Sequence, residues 1–125
     1  KEIFKLSSRV RFAMVGMSDI GPESTLVKIG SLSLQDSQYL KSLGVVGDVN
    51  LIFVDKDGKH VPNKVDERII TLSLEKLKKI ENVIGVGFGK RKIEVIFASL
   101  RGKIIDILVT DEATAKDILN LMERL

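Results

Sequence analysis

Short apolar runs alternate along this chain with stretches in which apolar residues return every three or four positions. Residues 10–16 form one such run and end on Gly16, the pattern of a buried strand that delivers a loop. The loop at 17–23 carries Gly21 and Pro22 among small polar residues. Leu34, Leu40 and Leu43 then predict a helix from about 33 to 43, with Ser33 as its N-cap and Gly44 as its stop. Residues 47–54 predict a second strand, and 55–60 a tight turn around Asp57-Gly58.

The pattern sharpens in the second half. Residues 68–72 read as a short strand, 74–80 as a short helix, and 83–89 as a strand running into Gly85, Gly87 and Gly89. Ile93, Ile96, Phe97 and Leu100 fall on one helical face that Gly102 closes. A strand at 104–109 is apolar except for Asp106, and a last helix at 112–124 aligns Ile118, Leu121, Met122 and Leu125. Apolar strands alternating with amphipathic helices predict an α/β fold with a mostly parallel sheet and helices on both faces. From Val83 onward the β-α-β-α order should make right-handed crossovers. No internal repeat or linker-like stretch interrupts the series.

Composition narrows the class. With 125 residues the chain has room for one compact domain, and 44% hydrophobic residues with 10 Gly and 2 Pro exclude a disordered or low-complexity chain. No apolar run approaches the about 20 residues of a membrane-spanning helix, so no membrane role is expected. Zero cysteines exclude disulfides, thiol catalysis and thiolate metal sites, and suit a reducing cytoplasm. The net charge of +3 is too small and too dispersed to mark a nucleic-acid surface. Opening on Lys1 rather than Met, the chain reads as a piece of a longer protein. Such a piece alone is expected to leave sheet edges open and apolar strands uncovered.

The strongest chemical signal is the junction at 85–92, where Gly85, Gly87 and Gly89 precede Lys90, Arg91 and Lys92. In open α/β sheets ligands bind beyond the carboxyl ends of the strands, and helix N-termini attract anions. Three cations in a first turn oppose the helix dipole, a cost that a bound phosphate would reverse. The alternative is that the cations only extend into water and the glycines only permit tight packing. A dinucleotide fingerprint fails because Lys90 stands where its third glycine belongs, and no P-loop spacing occurs. Asp111 suits the N-cap of the last helix, though Thr110-Asp111-Glu112 also ends a strand facing the cleft. Asp48 can accept from a sugar hydroxyl or cap a turn, and Asp106 can face solvent, pair with a neighbour or lie covered. His60 is the only histidine, so no multi-histidine metal site forms, and no nucleophile elbow occurs. No catalytic residue, metal or cofactor is predicted.

An ordered series of motifs carries a resemblance over nearly the whole chain. It runs from Val15-Gly16-Met17-Ser18 through Gly44-Val45-Val46-Gly47-Asp48-Val49, Asp57-Gly58 and Glu67-Arg68-Ile69-Ile70. It continues through the residues at 83–92 and Leu100-Arg101-Gly102, and closes on Leu108-Val109-Thr110-Asp111-Glu112-Ala113-Thr114-Ala115. Together these resemble the C-terminal part of the effector-sensing domain of SorC-type (DeoR-like) bacterial transcriptional regulators. The resemblance implies a fold akin to glucosamine-6-phosphate deaminase and ribose-5-phosphate isomerase, used for sensing rather than turnover. It implies a cytoplasmic homo-oligomer that binds a phosphorylated sugar and grips DNA through a separate N-terminal helix-turn-helix, outside this chain together with the first part of the sensing domain. It transfers ligand-binding roles to Gly16, Met17, Ser18, Asp48, Gly87, Gly89 and Lys92. Two positions depart from the pattern: Phe88 separates Gly87 from Gly89, and Ile52 replaces a polar or basic residue. The competing reading is a sugar-phosphate isomerase or deaminase on the same architecture, and a weaker one is a scaffold that binds no small molecule.

Overall fold

The computed structural model describes residues 2–125. Five strands, β1 (Phe12–Ser18), β2 (Gly47–Val49), β3 (Ile52–Val54), β4 (Asn82–Val86) and β5 (Ile107–Val109), form one sheet in the order β3-β2-β1-β4-β5. β1 runs parallel to β4, and β4 parallel to β5, whereas β2 lies antiparallel to both β1 and β3. Six helices surround it: α1 (Glu2–Ser7), α2 (Thr25–Lys28), α3 (Leu34–Ser42), α4 (Leu74–Lys78), α5 (Ile93–Arg101) and α6 (Glu112–Glu123). The architecture is α/β with a mostly parallel, mixed sheet flanked by helices.

Period-two alternation divides the apolar residues between two cores. Val15, Met17, Val49 and Val83 point one way and pack with Val95 and Ile96 of α5 and Ile118 of α6. Phe53 points the other way, from between Ile52 and Val54, and packs with Ile20, Leu32, Leu40 of α3, Val45 and Val65. α3 begins at a reciprocal cap in which Ser33 accepts from the Asp36 N–H at 2.9 Å and Asp36 accepts from the Ser33 N–H at 3.0 Å. That is the cap expected from Ser33.

Three sequence expectations are corrected. The strand expected at 47–54 is a hairpin, because Asn50 and Leu51 both adopt positive φ (51° and 66°) and turn the chain back. Two consecutive left-handed residues make the turn whose twist matches paired strands. Hydrogen bonds offset its strain: Asp48 Oδ2 accepts from the Leu51 N–H at 3.0 Å, and the Asn50 amide donates to Thr71 Oγ1 at 3.2 Å. The strand expected at 68–72 is absent; a 3₁₀ turn, Lys64–Arg68, capped by Asn63, replaces its start and 69–73 join no strand. The apolar run at 104–109 pairs only from Ile107, and Asp106 has a structural task. Its Oδ2 accepts from the Val83 N–H at 2.8 Å while its own N–H donates to the Val83 carbonyl at 2.8 Å.

On the face of the parallel strands opposite α5, apolar side chains meet solvent. Phe12 and Met14 of β1 are 63% and 74% exposed, and Ile107 and Val109 of β5 are 46% and 50% exposed. Ile84 and Val86, half-buried, join them across β4. Contiguous apolar surface of this kind drives association. The isolated chain is therefore expected to scatter light increasingly with concentration. Met14→Lys should reduce that scattering while shifting stability in urea by no more than about 0.5 kcal/mol. Unchanged scattering in the variant would show that this face does not drive the association.

Candidate functional site

The parallel pairing brings the carboxyl ends of β1, β4 and β5 to one edge of the sheet, at Ser18, Val86 and Val109. β2 adds Asp48 to that edge, because Ser18 and Asp48 are register partners. Gly47 allows the approach: a Cβ there would strike the Ser18 carbonyl and meet Val95 Cβ of α5 at 2.6 Å. Asp48 is thereby held under the hairpin turn with only 4% of its surface exposed. One of its carboxylate oxygens, Oδ2, accepts from Leu51, and the other, Oδ1, is buried without a partner.

Burial pushes the Asp48 carboxyl up to about 6, with Asp19 adding to the rise. The hydrogen bond from the Leu51 N–H and the positive charge of Lys92 oppose it. Of the three consecutive cations, Lys90 and Arg91 are exposed and only Lys92 is half-buried, close enough to Asp48 for its charge to be felt there. These three residues form a 3₁₀ turn leading into α5. Its N-cap, Gly89, has φ 103°, a conformation side chains resist, and no heavy atom lies within 4 Å of where a Cβ would stand.

The Gly89 N–H is not free for an anion, since it donates to Thr114 Oγ1 at 2.9 Å. The Lys92 N–H donates to the Gly89 carbonyl at 3.1 Å. By helix geometry the Lys90 and Arg91 amides, first in the turn, have no intrahelical acceptor. At the start of α6, Asp111 accepts from the Thr114 N–H at 2.8 Å as its N-cap. Bonds from the Thr114 side chain and backbone hold the Asp111 carboxyl below the usual carboxylate range.

Of the residues singled out by sequence, Ser18, Asp48, Gly87, Gly89 and Lys92 gather at this edge. Gly16 lies one residue pair back from the edge, on the exposed face, with nothing within 4 Å of a hypothetical Cβ. Met17 is buried in the core, and its side chain supports the turn from below, 3.4 Å from where a Gly87 Cβ would stand. Phe88 points outward and is 62% exposed. His60 lies away from the edge, 2.9 Å from Asp66 through Nε2.

A cleft of about 530 Å³ opens beside the edge, lined by Asp19, Gly21, Glu23, Lys41, Val46 and Arg91, among others. Arg91 reaches Glu23 across it at 3.4 Å. Sequence reasoning named Arg91 within the basic junction and Thr114 within the closing motif but gave neither a site role, and it passed over Asp19. Their positions carried a signal nonetheless: each lies within a few residues of a strand's carboxyl end or a helix start. Among the described residues, no cluster of three or more His, Asp or Glu side chains could hold a metal ion, and no helix is long and apolar enough to cross a membrane.

Comparison with known proteins adds a second line of observation. Residues 1–120 match the family model of a sugar-binding domain. A DeoR family transcriptional regulator from Listeria monocytogenes is 34% identical and superimposes with a TM-score of 0.89, the match covering 94% of this chain and 47% of that one. The transcriptional regulator YjhU of Escherichia coli (strain K12) is 32% identical over 116 residues, 93% of this chain and 35% of that protein. The full-length sorbitol operon regulator SorC from Klebsiella pneumoniae is 26% identical with a TM-score of 0.83, over 94% of this chain and 38% of that one. The chain thus spans 35% to 47% of the length of these relatives.

The raised carboxyl of Asp48 has a consequence for stability. A carboxyl with a higher pKa folded than unfolded favours the fold at low pH, and that contribution is lost as pH rises from about 4 through about 6. Asp48→Asn should remove this slope and, relative to the unsubstituted chain, gain roughly 1–3 kcal/mol on going from pH 4 to pH 7.5. Urea titrations across that range check it, and parallel pH profiles for the two proteins would refute the assignment.

Proposed function

The chain belongs to the sugar-binding domain family found in SorC- and DeoR-type transcriptional regulators, and on that footing we propose that it senses a phosphorylated sugar at the carboxyl edge of its parallel strands. The observation that carries this reading is the buried Asp48, with an unpartnered oxygen beside a half-buried Lys92. Lys92 and the first amides of the 90–92 turn hold the phosphate, where the positive end of α5 adds to their pull. Asp48 Oδ1 accepts from a sugar hydroxyl. That bond would supply the partner which the buried oxygen lacks in the protein.

Ser18 lines the edge between them, Gly16 and Gly89 leave open space where a side chain would stand, and Gly87 presents only backbone because its Cβ position faces Met17 and Ile96 in the core. Met17 acts from beneath, fixing the height of Gly87. The exposed Phe88 gives the rim above the turn an apolar cover. DNA is contacted through a separate helix-turn-helix, the assembly is a homo-oligomer, and the compartment is the cytoplasm. Sensing works by linkage: the sugar shifts the DNA-binding equilibrium only by its differential affinity for two states, typically about 1–3 kcal/mol.

Calorimetry on the intact polypeptide with D-glucose 6-phosphate, D-fructose 6-phosphate and D-ribose 5-phosphate tests the reading. At least one should bind, its unphosphorylated counterpart much more weakly, and Lys92→Ala should lower affinity at least tenfold, about 1.4 kcal/mol, with the fold unchanged by circular dichroism. Equal binding of sugar and sugar phosphate, or an unaffected Lys92→Ala variant, would overturn it.

A further inference from the structure

Among the described residues two buried side-chain oxygens lack a hydrogen-bond partner, Asp48 Oδ1 and Thr110 Oγ1. Both lie at the same edge of the sheet. Asp48 is beside Ser18 at the end of β1, and Thr110 follows Val109, the last residue of β5. The Val109 carbonyl accepts from the Gly87 N–H at 3.2 Å, which ties Thr110 to the glycine turn. Nearby groups are already engaged: the Gly89 N–H with Thr114 Oγ1, and the Thr114 N–H with Asp111. A buried hydroxyl without a partner is costly, and native proteins keep few of them. One unmatched hydroxyl and one unmatched carboxylate oxygen at one edge, bracketing the turn assigned to the ligand, are not what core packing alone requires.

Resting on the phosphosugar reading above, we propose that Thr110 is a further ligand-binding residue, whose hydroxyl takes a sugar hydroxyl at the end of the ligand remote from Asp48. Three strand spacings separate β2 from β5, which puts Asp48 and Thr110 about 14 Å apart along the edge. With its phosphate on Lys92, beside Asp48, a pentose or hexose phosphate about 9 Å long, hydrogen-bonded at about 2.8 Å at each end, reaches from there to Thr110. A hydroxyl is the fitting partner because Thr110 both donates and accepts, while Asp48 only accepts when ionised. A phosphate is not, because the carboxylate of Asp111 stands next to Thr110 and would repel it. The two side chains would thus read the sugar, and Lys92 its phosphate.

The test compares Thr110→Val, which keeps the shape and deletes the hydroxyl, with Thr110→Ser, which keeps the hydroxyl. Both are made in the intact polypeptide and titrated with the three sugar phosphates and their monodeoxy analogues. Thr110→Val should weaken the best ligand about tenfold while leaving the melting temperature of the ligand-free protein unchanged or higher. Thr110→Ser should retain affinity within about twofold. One monodeoxy analogue should bind Thr110→Val and the parent protein equally, because the partner hydroxyl is already gone. A lowered melting temperature in Thr110→Val would assign the hydroxyl to the fold and overturn the inference. So would unchanged affinity for every sugar phosphate while Lys92→Ala loses binding, since the phosphosugar reading then stands without Thr110. If Lys92→Ala also binds normally, that reading fails first and takes this inference with it.

Discussion

β1 runs parallel to one neighbour and antiparallel to the other, and that double pairing is the constraint on which the rest of the molecule depends. Phe12 to Gly16 align with Asn82 to Val86 in one direction, while Met17 and Ser18 face Val49 and Asp48 in the other. A strand paired parallel on both sides would leave β2 entering from the opposite end, and Asp48 would be far from the glycine turn. Because β2 comes back antiparallel, a carboxylate at the middle of a three-residue strand sits at the same edge as the turn that starts α5. Chain direction, and not any single contact, brings Asp48 and Lys92 into one electrostatic neighbourhood.

Asp48 illustrates how such a site holds tension. Its burial raises its pKa to about 6, and the protein supplies one hydrogen bond and one nearby cation, which is less than a buried carboxylate needs. A fold selected for stability alone would place an apolar residue between Gly47 and Val49, both fully enclosed. On the proposed reading, retaining the carboxylate sets stability against recognition, the exchange expected where a group is kept for what it binds.

Much of the fold was legible in the sequence where local chemistry and tertiary packing agree. Ser33 and Asp111 cap the helices they were expected to cap, and Ile96 and Ile118 face the core their spacing predicted. Legibility failed where tertiary partners override the local pattern. Asn50-Leu51 reads as the middle of a strand, because nothing nearby reveals that Asp48 and Thr71 will support two left-handed residues. Asp106 looked anomalous in an apolar run, because its partner, Val83, is 23 residues away. At the candidate site the glycines and Lys92 were visible as a junction motif. Thr110 was visible only as part of a strand end facing the cleft, because nothing in the sequence shows that its hydroxyl is unmatched.

The contact between Glu23 and Arg91 has a consequence for how this corner responds to ionic strength. Both side chains are largely exposed, at 74% and 53%, so dissolved salt screens their attraction readily. An anion arriving beside Lys92 meets a guanidinium already shared with a carboxylate. Counterions act there in two opposing ways, dulling the pull on the newcomer while loosening the rival that holds Arg91. With the phosphate placed as proposed, the two would partly cancel, and occupancy would vary less steeply with salinity than three adjacent cations suggest.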